Sequence, residues 1–259
     1  MDFFYGTDWL HREPPYAFKF DHLLLIFIPL IIGVVLAFLL RKKSLKTIKI
    51  VLISLWAFGL ALVITYYTSI YIKCGIDPET TFSLEGMLPF HSCLMFFYIF
   101  PLAIFSKNRL IKTASMNFLV IVNMIMGFIT LFVGCPPVGS SALSFVGLQS
   151  MLYHGIIVVV PFIMLVTKYY DIQIKDLKYG LVLFCALSLI MWTFDAFTGC
   201  DYFYFYDGHT FPVLKFISEN VHHLVWTLIV FSCYVITGAI THFLVIGVKY
   251  LVNRNKQAK

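Results

Sequence analysis

The sequence predicts an all-α membrane protein, a polytopic bundle of seven transmembrane helices with its N-terminus outside and its C-terminus in the cytoplasm. Three observations predict this fold class: an apolar composition, seven long apolar runs, and basic residues on alternate connections between the runs. Hydrophobic residues make up 60% of the chain and charged residues 12%, with a mean hydropathy of +0.88. A soluble domain has about a quarter of its residues charged, so this chain needs lipid as part of its solvent.

Each apolar run is predicted to be a helix because lipid offers no hydrogen-bond partner to the backbone, which must satisfy its own N–H and C=O groups. The third run is the shortest and starts at Leu88-Pro89-Phe90-His91, where Pro89 suits the first turn of a helix. The runs cover about residues 21–40, 49–72, 87–105, 112–134, 146–167, 178–198 and 222–247.

The placement of Lys and Arg orients the predicted spans. Of the 19 basic residues, 15 lie after the first, third and fifth runs or in the C-terminal tail, which the positive-inside rule assigns to the cytoplasm. The net charge of +6 is therefore a topology signal near anionic headgroups, and no nucleic-acid partner is expected. We expect an outer segment 1–20 without a cleavable signal peptide, a transmembrane domain 21–248 and a basic cytoplasmic tail 249–259.

Ionisable side chains inside spans are costly, so they are functional-site candidates by default. Each also has a structural alternative, either a bond to headgroups at the boundary or a bond between helices, as expected of Asn117 and Asn123. Asp195 lies close enough to the boundary to be solvated, or it orients a histidine. With the predicted orientation, the outer half of the membrane contains His22, His91, Cys93, Gln149, His154, Asp195, His222 and His223.

Cys93 is the predicted nucleophile of this cluster. A thiol becomes a useful nucleophile beside a base, and an imidazole is the common solution. On a helix His91 would point away from Cys93, whereas His154 comes from another span at similar depth. We expect Cys93 to attack an acyl carbonyl and His154 to take the thiol proton, with His91 orienting the substrate or donating to the oxyanion. Supporting or substrate-binding roles are expected for His22, Gln149, Asp195, His222 and His223.

Two other kinds of site use the same residues. Three histidines with Asp195 could hold Zn²⁺ and a hydrolytic water, as in seven-span zinc amidases and ceramidase-like proteins. His222 and His223 argue against this, because adjacent residues diverge by about 100° on a helix, and we expect no metal or other cofactor. In a carrier or binding protein the histidines would be structural or would contact the transported molecule.

Two further features fall in the predicted outer connections. Cys74, Cys135 and Cys200 lie in three separate connections, and any two could form a disulfide in an oxidising compartment. The last outer connection contains Tyr202-Phe203-Tyr204-Phe205-Tyr206. We interpret it first as an aromatic belt at the membrane interface, and alternatively as a lip over a lipid-entry site.

Several short motifs carry a family resemblance. They occur at Phe3-Phe4-Tyr5-Gly6, at Phe20-Asp21-His22-Leu23, at Leu88-Pro89-Phe90-His91-Ser92-Cys93, at Leu148-Gln149-Ser150-Met151-Leu152-Tyr153-His154-Gly155, and at Asp201-Tyr202-Phe203-Tyr204 with Pro212 following. With these motifs the chain resembles the YwaF-like bacterial integral membrane proteins. That family, whose activity is unassigned, is distantly similar to a eukaryotic acyltransferase that remodels ether phospholipids, and more remotely to membrane hydrolases of fatty-acid esters.

The resemblance implies roles for particular residues. In the acyltransferase a Pro-Cys-His segment supplies the nucleophile, and a histidine from a later span, which matches His154, supplies the base. Aligning the prolines places Phe90 at that cysteine and His91 at its neighbouring histidine, with Cys93 one helical turn beyond.

The expected function is a lipid-directed acyltransferase or hydrolase of lipid esters at the outer leaflet of a bacterial plasma membrane, with membrane lipids as its partners. The alternative is a non-enzymatic lipid- or small-molecule-binding protein or carrier. A zinc-dependent membrane hydrolase is a third interpretation.

Overall fold

The computed structural model describes residues 20–76, 88–133, 145–206 and 212–257, and the regular structure within these ranges is helical. The predicted outer segment 1–20 lies outside the described residues except for Phe20. The described ranges contain a π-helical turn, Leu119–Asn123, and nine α-helices. These are α1 (Phe20–Leu40), α2 (Leu45–Ile76), α3 (Met95–Phe105), α4 (Arg109–Phe118), α5 (Met124–Val133), α6 (Phe145–Val166), α7 (Asp176–Thr198), α8 (Pro212–Asn220) and α9 (His223–Gln257).

Six described helical segments are long and apolar enough to cross a membrane, and six of the predicted runs correspond to them. The chain is therefore a helical multi-pass membrane protein. The seven-span count and the orientation stay predictions, because the orientation depends on charge placement alone. The six segments are His22–Leu40, Leu45–Ser69, Arg109–Phe132, Phe145–Val166, Asp176–Thr198 and His223–Val252.

The third predicted run differs from expectation. Its helix, α3, begins at Met95 rather than near residue 87 and has 11 residues. At 1.5 Å per residue this is about 16 Å, roughly half the hydrocarbon thickness of a bilayer. The preceding residues form a turn, in which the His91 carbonyl accepts hydrogen bonds from the N–H groups of Leu94 at 2.8 Å and Met95 at 3.2 Å. Pro89 contributes to this outcome because proline disfavours helical geometry in the residue before it.

The internal contacts divide the chain into two units, residues 1–82 with 123–171 and residues 83–122 with 172–259. In the first unit, α6 is buried along nearly its whole length and contacts α1, α2 and α5. Its sequence is apolar on almost every side, which suits a helix surrounded by other helices.

Glycines let the helices of the first unit approach closely. A Cβ atom on Gly155 of α6 would lie 2.7 Å from the Cβ atom of Pro29 in α1, and one on Gly33 would overlap a methyl group of Val159. Small residues at such crossings are typical of membrane helices. A polar bond is added by His22 of α1, whose Nε2–H donates to the Leu131 carbonyl of α5 at 2.9 Å.

In the second unit, α4 contacts α3 and α7, and α7 contacts α9. Gly180 of α7 makes room for Asn117 of α4, because a Cβ atom at Gly180 would overlap the Asn117 amide oxygen. The Asn117 amide donates to Nδ1 of His242 on α9 at 3.0 Å, and both side chains are fully buried. The expectation that Asn117 bonds one helix to another is confirmed.

The packing of Gly155 makes the first unit sensitive to a single methyl group. We expect Gly155→Ala to lower the free energy of unfolding by about 1–3 kcal/mol, because the rigid ring of Pro29 leaves no space for the added carbon. The matched control is Gly247→Ala on α9, where a Cβ atom meets nothing within 4 Å and alanine is the better helix former by about 1 kcal/mol. Thermal unfolding in detergent measures both, and equal midpoints would contradict the close approach.

Candidate functional site

Two segments of the second unit leave helical geometry and contact each other. We call residues 88–94 the His–Cys turn and residues 201–206 the aromatic loop. The ring of Phe90 lies edge-on to Tyr202 with centroids 5.6 Å apart, and His91 lies edge-on to the same tyrosine at 5.2 Å. These ring contacts join the turn and the loop into one local structure that contains the candidate residues His91 and Cys93.

The aromatic loop is shaped by two buried carboxylates. Gly199, with φ of 71°, ends α7 by donating its N–H to the Asp195 carbonyl at 2.8 Å, a left-handed position that glycine adopts without strain. The Asp195 side chain then accepts the N–H of Tyr202 at 3.1 Å. Asp201 accepts the N–H of Tyr206 at 3.1 Å in the same way. The interpretation of Asp195 as a solvated boundary residue is therefore wrong, because it is only 1% exposed and bonds the backbone.

The aromatic side chains of the loop point into the protein. Tyr202, Phe203 and Phe205 are almost completely buried, so the interpretation of this stretch as a belt facing the membrane interface is wrong. Helix α9 fixes the loop from outside, with Trp226 Nε1–H donating to the Tyr204 carbonyl at 3.1 Å. The Thr227 hydroxyl donates to the Phe205 carbonyl at 2.9 Å. A role as a lip over a lipid-entry site stays a prediction.

His91 is half-buried and has one buried ring nitrogen that is not used. Its Nδ1 atom has no hydrogen-bond partner among the described residues. Burial lowers the pKa of His91 from 6.5 to about 4, and a hydrogen bond to the Tyr202 backbone offsets part of this effect. The imidazole is consequently neutral at physiological pH. Because its other nitrogen donates to the Tyr202 backbone, Nδ1 is the nitrogen left to accept a hydrogen bond.

Cys93 contributes a partly exposed thiol to the same turn. It directly precedes Leu94, the N-cap residue of α3, whose side chain provides no capping hydrogen bond. The N-terminus of a helix carries partial positive charge and stabilises an anion such as a thiolate. The expectation that His91 and Cys93 lie on one helix is wrong. Residues two apart on a helix point in different directions, but this argument does not apply to a turn.

The two predicted histidines at the start of the last span have different environments. His223 stacks on Tyr206 of the aromatic loop with ring centroids 4.5 Å apart. His222 is exposed, and its Nδ1 accepts the N–H of Leu224 at 3.3 Å, as an N-cap side chain does. The second unit thus brings His91, Asp195 and His223 against the aromatic loop, whereas His222 caps α9.

The other predicted site residues, His22, Gln149 and His154, belong to the first unit. His154 lies on α6, where its Nδ1–H donates to the Ser150 carbonyl at 2.7 Å. In a neutral imidazole with Nδ1 protonated, Nε2 carries no proton, which is the form that a general base requires. The pairing of Cys93 with His154 stays a prediction.

The predicted metal and disulfide sites use histidines, carboxylates and cysteines of the same region. Within the described ranges, no group of three or more His, Cys, Asp or Glu side chains is placed to hold a metal ion. Cys200 is a buried free thiol, while Cys135 and the side chain of Cys74 lie outside the described residues.

A protein-family model described as the TMEM164 family matches residues 17–245. The chain belongs to the TMEM164 family. The matched range includes every residue predicted for the site, from His22 to His223. Searches of curated proteins and of solved structures found no match to this family member.

Sequence reasoning missed the groups of α9 that complete the site. Trp226 and Thr227 hold the aromatic loop, and Tyr234 donates its hydroxyl to Ser92 in the His–Cys turn at 3.1 Å. Tyr, Trp and Thr within the last apolar run could have indicated such contacts, because a buried Tyr or Trp generally needs a hydrogen-bond partner.

The carboxylate of Asp195 should control whether the aromatic loop stays closed. Asp195→Ala removes the acceptor for the Tyr202 N–H, and a hydrogen bond to a charged group contributes about 1.5–3 kcal/mol. Cys200 is 5% exposed. We expect an added reagent to alkylate it at least about tenfold faster in the variant than in the wild type. Mass spectrometry of the Cys200 peptide measures the rate, with the exposed Asp171→Ala as control. An unchanged rate in Asp195→Ala would show that the carboxylate does not hold the loop.

Proposed function

We propose that this member of the TMEM164 family is a lipid-directed acyltransferase or acyl-ester hydrolase with Cys93 as its nucleophile. The observation that carries the proposal is the His–Cys turn, in which a partly exposed thiol lies two residues from a half-buried imidazole whose buried Nδ1 has no partner among the described residues. Polar and ionisable groups at membrane depth are retained mainly where they serve function.

The proposed reaction is a two-step acyl transfer. The Cys93 thiol gives its proton to a base and attacks the carbonyl carbon of an acyl ester, forming a thioester as the ester C–O bond breaks. The leaving alcohol takes the proton from the base. A second alcohol or a water then attacks the thioester, which yields a new ester or a free acid and returns the proton to the thiolate. The chemistry needs no metal or other cofactor.

The position of Cys93 before α3 supports the first step, because the partial positive charge of the helix N-terminus favours the thiolate. His91 supports substrate orientation, since Nδ1 of the neutral ring can accept a hydrogen bond from a hydroxyl group of the lipid substrate or of the acceptor alcohol. His154 is the proposed base, and the orientation of its ring by the Ser150 carbonyl supports that assignment by leaving Nε2 unprotonated.

A lipid substrate is the natural partner of a site in a multi-pass membrane protein. The resemblance to the YwaF-like proteins, and through them to an acyltransferase of ether phospholipids, supports an acyl chain on a glycerophospholipid as the transferred group. We propose a location in the outer leaflet of a bacterial plasma membrane.

A second candidate function is a lipid- or small-molecule-binding protein without catalysis. The observation that favours it is the structural use of several histidines. His22 bonds the Leu131 carbonyl and His242 accepts from Asn117, so a buried histidine in this chain is not by itself a sign of catalysis.

Acyl transfer by the full-length protein in vesicles distinguishes these functions. The vesicles contain a phospholipid with a labelled acyl chain and an unlabelled lysophospholipid acceptor. Cys93→Ala should abolish transfer and the hydroxylamine-labile label on the protein. His154→Ala should lower the rate by about 10²–10⁴-fold, the usual contribution of a general base.

Cys233→Ala is the control, because it removes an exposed thiol of α9. It should leave the rate unchanged. Equal labelling of the wild type, Cys93→Ala and His154→Ala by an acyl-chain thiol probe would contradict both assignments. Lipid binding without turnover in all of them would support the binding protein instead.

A further inference from the structure

Tyr234 links the last described helix to the His–Cys turn. Its phenolic O–H donates to the Ser92 hydroxyl oxygen at 3.1 Å, across 142 positions of sequence. Tyr234 is 7% exposed and Ser92 4% exposed, so the bond is shielded from solvent. A buried phenol without a partner is costly, and this bond removes that cost.

The ring of Tyr234 is held on two sides before it reaches the turn. It packs against Phe184 of α7 with centroids 5.3 Å apart and against Phe203 of the aromatic loop at 6.3 Å. A tyrosine has two side-chain torsions, and these neighbours restrict both. The hydroxyl therefore presents a fixed point to Ser92 rather than a mobile one.

Backbone hydrogen bonds within the His–Cys turn define its local path. The turn is closed by the N–H groups of Phe90 on the Leu88 carbonyl at 3.0 Å and of Leu94 on the His91 carbonyl at 2.8 Å. The N-cap residue of α3 adds no side-chain bond. The bond from Tyr234 adds a tertiary contact to these local ones, and it falls on Ser92, directly before Cys93.

We propose that Tyr234 is a positioning residue for Cys93, acting through Ser92. Holding Ser92 fixes the backbone at the next residue and so the direction of the Cys93 thiol. The proposal rests on the proposed function for its catalytic consequence, because a nucleophile displaced by about 1 Å loses on the order of 10²-fold in rate. Since the Ser92 oxygen accepts from Tyr234, the hydroxyl proton of Ser92 is directed away from the phenol. The hydrogen bond therefore has one direction, from Tyr234 to Ser92.

The variants Tyr234→Phe and Ser92→Ala each remove the same bond from a different side. In acyl transfer by the full-length protein, both should lower kcat at least about tenfold, which corresponds to about 1.4 kcal/mol in the barrier. KM should stay within about twofold, because positioning acts on the transition state and not on lipid binding. The double variant should lose no more than either single variant, as residues that share one interaction do.

The matched control is Tyr98→Phe, which removes a phenol from a half-exposed tyrosine of α3. It should leave kcat unchanged. Thermal midpoints of all variants are measured in the same detergent, and kcat is compared well below all of them. The midpoint of Tyr234→Phe should stay close to the wild type, whereas Ser92→Ala, which leaves the buried phenol without its acceptor, should melt a few degrees lower. A loss of kcat that follows loss of stability, or that equals the effect of Tyr98→Phe, would overturn the positioning role.

A measurement without turnover separates this proposal from the proposed function. A trifluoromethyl tag on Cys93 should give one narrow ¹⁹F resonance in the wild type and broad or multiple resonances in Tyr234→Phe and Ser92→Ala. An unchanged single resonance in both variants would overturn the inference even if Cys93 is the nucleophile. If Cys93→Ala retains acyl transfer, the proposed function fails while the ¹⁹F spectra still decide whether Tyr234 orders the turn.

Discussion

The structure depends on one constraint, that each polar group at membrane depth needs a partner inside the protein. Helices meet it for the backbone, which is why the apolar runs become helices. Side chains meet it one by one. His22 uses the Leu131 carbonyl, and His242 uses the amide of Asn117. Glycines at 155 and 180 serve the same end indirectly, because they allow the close approach on which packing and such bonds depend.

The aromatic loop and the His–Cys turn are where this constraint is met without a helix. The loop's amides bond to the Asp195 and Asp201 carboxylates, and its carbonyls accept from Trp226 and Thr227 of α9. In this arrangement each of these backbone groups needs its own side chain as a hydrogen-bond partner, whereas a helix would pair them with one another. Specific side-chain bonds to irregular backbone support a functional role for this region, because functional residues are common on loops that a rigid scaffold positions.

Much of the fold followed from hydropathy, because the length and apolarity of a run suffice to predict a helix in lipid. The predicted start of the third run was wrong. The turn at His91, which follows Pro89, depends on local bonds, and a mean hydropathy taken over many residues carries no information on such bonds. The interpretation of the aromatic stretch as a belt was wrong for another reason. Belt residues and core residues have the same composition, and only the bonds from Trp226 and Thr227 show that this stretch is held inside the protein. For the candidate site, His91 and Cys93 stood out by residue type, whereas Tyr234 lies in an apolar run and meets Ser92 only after folding.

The histidines of this chain differ in what occupies their nitrogens, and this difference is more informative than their depth. In His22 the bonded nitrogen holds two helices together, and in His222 it caps α9. His154 has its Nδ1–H committed to its own helix, which fixes the tautomer rather than the fold. His91 keeps Nδ1 without a partner in the described part of the chain, although its ring is enclosed by the aromatic loop. Nε2 of His223 and Nε2 of His242 have no partner there either, but those rings lie outside the His–Cys turn. A buried nitrogen without a partner costs about 1–3 kcal/mol, and under the proposed function a substrate hydroxyl that donates to Nδ1 of His91 removes this cost.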